Sequence, residues 1–111
     1  MSRDHAYLFD TLESARSILE YTRGKDWESF VKDNLLQDAV VRRLEIIGEA
    51  SGCVSAETQR KYSQLPWSAM KGTRNKVIHE YDAIQLDIIW DIVQQDLPAP
   101  VNDLERIVSS L

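Results

Sequence analysis

The chain is poor in the residues that build disulfide or metal frameworks. Cys53 is its only cysteine, so no internal disulfide can form. It has two histidines, His5 and His79, and the Arg, Asn and His set around His79, with no acidic cluster and no second His or Cys ligand, fits no metal site. Uninterrupted apolar runs reach only a few residues, which excludes a membrane span. The opening MSRDHAYLFD lacks the apolar core of a secretory signal. These absences lead us to expect a cytoplasmic protein that uses no metal, no cofactor and no membrane. No segment alternates strictly between apolar and polar residues, so no strand is expected, and no repeat or low-complexity tract is present.

What is present suits one small globular domain, expected to span 1–111. The chain has 111 residues, 43% of them hydrophobic and 28% charged. Its net charge of −5 argues against a generic nucleic-acid binder. The distribution is more informative. Residues 58–79 hold five basic side chains (Arg60, Lys61, Lys71, Arg74, Lys76) and no acidic one, whereas residues 80–111 hold seven acidic groups against Arg106 alone. An anion-binding patch is expected inside an acidic protein.

Apolar residues recur at helical spacing. Leu8, Leu12, Ala15 and Leu19 form a first stripe, widened by Phe9 and Ile18, with Gly24 as a stop. Asp26 can cap a short second helix. Residues 33–54 give the longest pattern, with Leu36, Val40, Ile47 and Ala50 on one face and Arg42, Arg43, Glu45 and Glu49 largely off it. Gly48 inside that helix costs about 1 kcal/mol relative to Ala, a loss best explained by the close approach of a neighbouring helix. Cys53 reads as a small, half-buried residue. Ser55 caps a short helix to Tyr62, and Pro66 precedes PWSAMKGTRNKVIHEY, the next helical segment. Ile84, Ile88, Ile89, Ile92, Val93 and Leu97 line another, and Pro98 and Pro100 predict a kink or break. Val101, Leu104, Val108 and Leu111 make the last stripe. The expected fold is all-α, an up-and-down bundle of five to six helices. The stripes are wide and carry Trp27, Trp67 and Trp90, more apolar surface than so small a chain readily buries alone, so a homodimer is expected.

The segment TRNKVIHEYD, residues 73–82, gathers Arg74, Asn75, His79 and Tyr81 in the basic zone. Histidine titrates near neutrality and serves as a general acid–base. Arginine presents a fixed fork of donors to phosphate oxygens. Such a set suits metal-free cleavage of RNA, in which the 2′-OH is the nucleophile. Arg74 and His79 are five apart, about 140° around a helix axis. They converge only if the helix ends near His79 or if a second chain completes the site. Each residue also has a plain structural use: an Arg and a His on a helix are commonly structural, and Tyr81 alone is a packing aromatic. Lys71 and Lys76 flank the motif as candidate RNA contacts. Arg42 and Arg43 could extend that path or simply form a solvated face. His5 is incidental.

The run Arg74-Asn75-Lys76-Val77-Ile78-His79-Glu80-Tyr81 reads R-N-x-x-x-H-x-Y. It resembles the signature of the HEPN superfamily, in its HepT-like branch. LQDAVVRRLEIIGEAS resembles that family's long second helix, LPWSAMKGTRNKVIHEYD its motif helix, and IIWDIVQQDLP its C-terminal helix. The resemblance implies a HEPN-like helical bundle acting as a homodimer. It implies a metal-independent endoribonuclease, the toxin of a type VII-like toxin–antitoxin pair, cutting RNA such as tRNA or mRNA. Arg74 would hold the scissile phosphate, Asn75 would support that anion or the histidine, and His79 would be the general acid–base. Tyr81 would be AMPylated by a cognate minimal nucleotidyltransferase antitoxin. Thr73 departs from the hydrophobic residue many relatives carry before the arginine, and a smaller polar residue there is expected to loosen the turn. The alternative reading is a non-catalytic nucleotide- or RNA-binding partner subunit of a nucleotidyltransferase. A third is a purely structural dimerisation domain.

Overall fold

The computed structural model describes residues 3–78 and 85–111, with residues 75–78 described by backbone alone. Seven α-helical segments form among these residues, and no strand: α1 (Arg3–Thr22), α2 (Trp27–Lys32), α3 (Asn34–Cys53), α4 (Ala56–Lys61), α5 (Trp67–Ile78), α6 (Leu86–Asp91) and α7 (Pro98–Ser109). The all-α bundle expected from the apolar spacing is what forms. The short α2 and α4 form where they were expected, and the count reaches seven because the chain is interrupted before Pro98, which divides α6 from α7.

Local chemistry fixes most of the boundaries. Gly24 takes φ 71°, the left-handed conformation that ends the turn after α1. The Asp26 side chain accepts from Ser29 N at 2.8 Å and caps α2, and Asp33 accepts from Leu36 N at 3.0 Å and caps α3. Ser55 caps α4 through Thr58 N at 3.3 Å. Six residues make a marginal helix on their own. α2 persists because Phe30 is fully buried and its ring lies 4.9 Å from that of Trp90. The Gln37 amide, donating to Phe30 O at 2.8 Å and Val31 O at 3.0 Å, satisfies carbonyls at its end.

α1 and α3 pack along one another, α5 lies against α3, and α7 lies against α1. Leu8, Leu12, Ile18, Val40, Leu44, Ile47, Ile89 and Leu104 are almost wholly buried between them. Two stripes are rotated from their expected positions. On α1 the buried line is Leu8, Leu12, Ala15 and Ile18, while Leu19 is only partly buried and Phe9 is 47% exposed. On α7 it is Val101, Leu104 and Ile107, with Leu111 47% exposed. α1 packs against both α3 and α7, so its apolar face turns towards the space between two neighbours.

The Pro98 junction is a widened turn. Ile92–Asp96 is π-helical, and Leu97 N donates to Ile92 O at 3.0 Å. Proline cannot donate to the preceding turn and its ring crowds the carbonyl four residues back. Widening the turn relieves that crowding and lets Pro98 start α7 at a position where no N–H is needed. No helix among the described residues is long and apolar enough to cross a membrane.

Candidate functional site

The motif helix α5 is held against α3 by a seam of very close approach. A Cβ built on Gly48 would lie 2.7 Å from Arg74 Cβ and 3.0 Å from Arg74 N. A Cβ on Gly52 would lie 3.8 Å from Lys71 Cγ. Position 52 thus meets 71 and position 48 meets 74, so the two helices run antiparallel. Gly48 and Gly52 are one turn apart and form a ledge without side chains, against which the stems of Arg74 and Lys71 rest. This is the close approach that Gly48 led us to expect. The sequence alone left open which residue would occupy it.

Thr73 secures the same seam. It is 6% exposed, and its Oγ1 lies 2.8 Å from Met70 O and 3.1 Å from Leu44 O. The single hydroxyl proton is shared between a carbonyl of its own helix and one of α3. The expectation that Thr73 would loosen this turn is therefore corrected: the hydroxyl joins the two helices beside Arg74.

Arg74 itself is exposed, and among the described residues no carboxylate pairs with its guanidinium. Lys71 is also exposed, and its Nζ donates to Gln59 Oε1 at 3.2 Å. Gln59 Nε2 donates to Val54 O at 2.9 Å, so both ends of that amide are engaged and α4 is tied to α5. Asn75 and Lys76 lie within α5, and their side chains are outside the described part. His79 and Tyr81 lie outside the described residues.

Arg42 and Arg43 are not brought to the seam. They stand about 120° and about 140° around α3 from Gly48. Arg42 is exposed and pairs with Glu45 at 3.7 Å. Cys53, expected to be half-buried, is exposed. It lies about 140° around the axis from Gly48, on the outer face of α3. Trp67 is core, 9% exposed, with Nε1 donating to Tyr62 O at 3.0 Å. Among the described residues, no group of three or more His, Cys, Asp or Glu side chains is placed to hold a metal ion.

Sequence reasoning missed Gln59, because a glutamine on a short helix carries no sign that a lysine twelve residues on will reach it. It also missed Asp4. This carboxylate accepts from Ser55 N at 3.0 Å, Ser55 Oγ at 2.5 Å and Thr58 Oγ1 at 2.6 Å, joining the start of α1 to the cap of α4. Those bonds, the Ser55 hydroxyl first, hold the Asp4 carboxyl below its ordinary value.

A family model described as Ribonuclease HepT-like matches residues 11–111. The chain belongs to the HepT-like ribonuclease family. It is 39% identical over 106 residues to a putative RNase of Methanocaldococcus jannaschii, covering 96% of this chain and 88% of that one. It is 37% identical over 111 residues to a putative RNase of Caldanaerobacter subterraneus subsp. tengcongensis, covering 100% of this chain and 96% of the relative. It is 37% identical over 108 residues to the probable ribonuclease HepT of Thermococcus cleftensis, covering 96% and 98%. No solved structure gives a significant match. In this HepT-like chain the glycine seam therefore sets the backbone of the motif arginine.

Proposed function

We propose that this protein is a metal-independent endoribonuclease and the toxin of a toxin–antitoxin pair, with residues 1–111 working as one domain. The observation that carries the reading is Arg74: the first residue of an intact R-N-x-x-x-H-x-Y motif, exposed and without a carboxylate partner among the described residues. Membership of the HepT-like ribonuclease family and three relatives named as ribonucleases support it.

In this reading His79 removes the proton of the 2′-OH as the 2′-oxygen forms its bond to phosphorus. The P–O5′ bond breaks, and a second acid protonates the departing 5′-oxygen. The products are a 2′,3′-cyclic phosphate and a 5′-hydroxyl. Arg74 stabilises the crowded phosphorane, and Asn75 supports the same anion. One His79 per chain supplies one acid–base group, so a homodimer with motif residues from both protomers in one cleft supplies the pair. Tyr81 is the acceptor of AMP from a cognate minimal nucleotidyltransferase antitoxin. Each AMP adds negative phosphate and bulk where RNA phosphate must bind, which explains neutralisation by charge repulsion and blockage.

Cleavage of tRNA and mRNA in EDTA, with wild type against His79→Ala and Arg74→Ala, is the test. Loss of about 10²- to 10⁴-fold in the histidine variant and about 10²- to 10³-fold in the arginine variant is expected. No cleavage by unmodified wild type moves the reading to a non-catalytic RNA-binding partner of a nucleotidyltransferase. Intact mass after co-expression with that enzyme should rise by whole AMP adducts and stay unchanged in Tyr81→Phe.

A further inference from the structure

Resting on the ribonuclease reading, we infer that the RNA strand held at Arg74 leaves it past Lys71 and over α4 past Arg60, and not along the Arg42–Arg43 face of α3. Arg74 and Lys71 are three apart on one edge of α5, which places their Cβ atoms about 5–6 Å apart. The Gly48–Gly52 ledge leaves no side chain between them and α3 at either position. Lys71 then reaches Gln59 at 3.2 Å, and Gln59 is anchored to Val54 O, so the lysine is held at the edge of α4. The next residue is Arg60, exposed in the last turn of α4 and without a carboxylate partner among the described residues. Lys71 and Arg74 thus share one edge of α5, and Arg60 stands about 100° around α4 from the neutral amide that holds Lys71, where a strand crossing α4 would meet it.

The other basic residues are less suited. Lys61 lies over the Tyr62 ring, 5.3 Å from its centroid, and lines a hollow with Asp4 and Glu57, whose charges oppose its own. Arg42 is paired with Glu45, and both arginines of α3 are turned well away from the seam. Glu49 is exposed beside Gly48, about 100° around α3, and further disfavours a phosphate chain on that side. Contacts of this kind neutralise phosphates and carry no base information.

The test uses a fluorescent 2′-O-methyl oligonucleotide, which lacks the nucleophile and stays intact. Anisotropy titrations over a range of salt compare wild type with Lys71→Ala, Arg60→Ala, Lys71→Arg and the Arg42→Ala/Arg43→Ala pair. Lys71→Ala and Arg60→Ala are each expected to weaken binding by about threefold to tenfold, equally for different sequences. Each should also lower the salt slope by about 0.7. Lys71→Arg should restore binding, which separates lost charge from lost folding. A larger loss in the α3 pair than in the α4–α5 variants overturns the path and leaves the ribonuclease reading standing. No binding by wild type overturns both.

Discussion

Gly48 has no side chain at the place on α3 where a side chain would strike the backbone of α5. A methyl there meets Arg74 Cβ at 2.7 Å and Arg74 N at 3.0 Å, and neither atom can be moved by a rotamer change. Gly48→Ala gains about 1 kcal/mol of helix propensity. Forcing the helices apart costs about 1–3 kcal/mol, so a net loss of up to about 2 kcal/mol is expected in urea denaturation. RNA cleavage should fall further than that loss of folding explains, because Arg74 itself is displaced. The hydroxyl of Thr73 offers a gentler probe. Thr73→Val keeps the shape and removes the bond shared with Leu44 O, which should cost about 0.5–1.5 kcal/mol. Thr73→Ser should retain most of it. A valine variant as stable and active as wild type would show that the hydroxyl does not secure the seam.

The π-helical turn Ile92–Asp96 is the element whose form follows from its neighbours. It inserts extra chain between α6, which buries Ile89, and α7, which buries Val101 and Leu104. Deleting exposed Gln94 should close it to an α-turn, leave α6 and α7 nearly in register, and bring the Pro98 ring back against the carbonyl one turn before it. A loss of about 3 kcal/mol is expected from that clash, read as a lower urea midpoint. Gln94→Ala should stay within about 0.5 kcal/mol of wild type. If the deletion matches wild type, the widened turn is dispensable.

Across the whole molecule, the Asp4 carboxylate joins the first turn of α1 to the cap of α4, and α4 in turn meets α5 through Gln59. Its folded pKa lies below the ordinary value of 3.8, chiefly through the Ser55 hydroxyl, with the Thr58 hydroxyl and Ser55 N–H adding to it. The unfolded chain therefore binds more protons between the two values, and stability rises with pH through that window. The contribution is fully present above 3.8 and is lost as pH falls through the folded value. Thermal unfolding of Asp4→Asn should show a deficit against wild type at neutral pH that narrows in strong acid. A gap independent of pH would count against the carboxylate. Because Lys71 is tied to α4, the same variant should also weaken RNA binding modestly at neutral pH.

The helices, their caps and the candidate motif were legible in the sequence because they depend on spacing along one chain. Asp26, Asp33 and Ser55 act on N–H groups three residues ahead, Gly24 sets its own backbone, and apolar residues three and four apart share a face wherever they occur. The same local reading gave the R-N-x-x-x-H-x-Y run and the family it resembles. It also showed that Gly48 needed a close neighbour, though not which one. Only the tertiary structure decided that the neighbour is Arg74, that Thr73 binds α3, that Lys71 is held by Gln59, and that Cys53 faces outwards. It also turned the stripes of α1 and α7 and widened the turn before Pro98. Each of these outcomes depends on two or more elements competing for the same space. Helical periodicity specifies a face, whereas the direction from which a second or third helix covers that face is set by close packing across the whole chain.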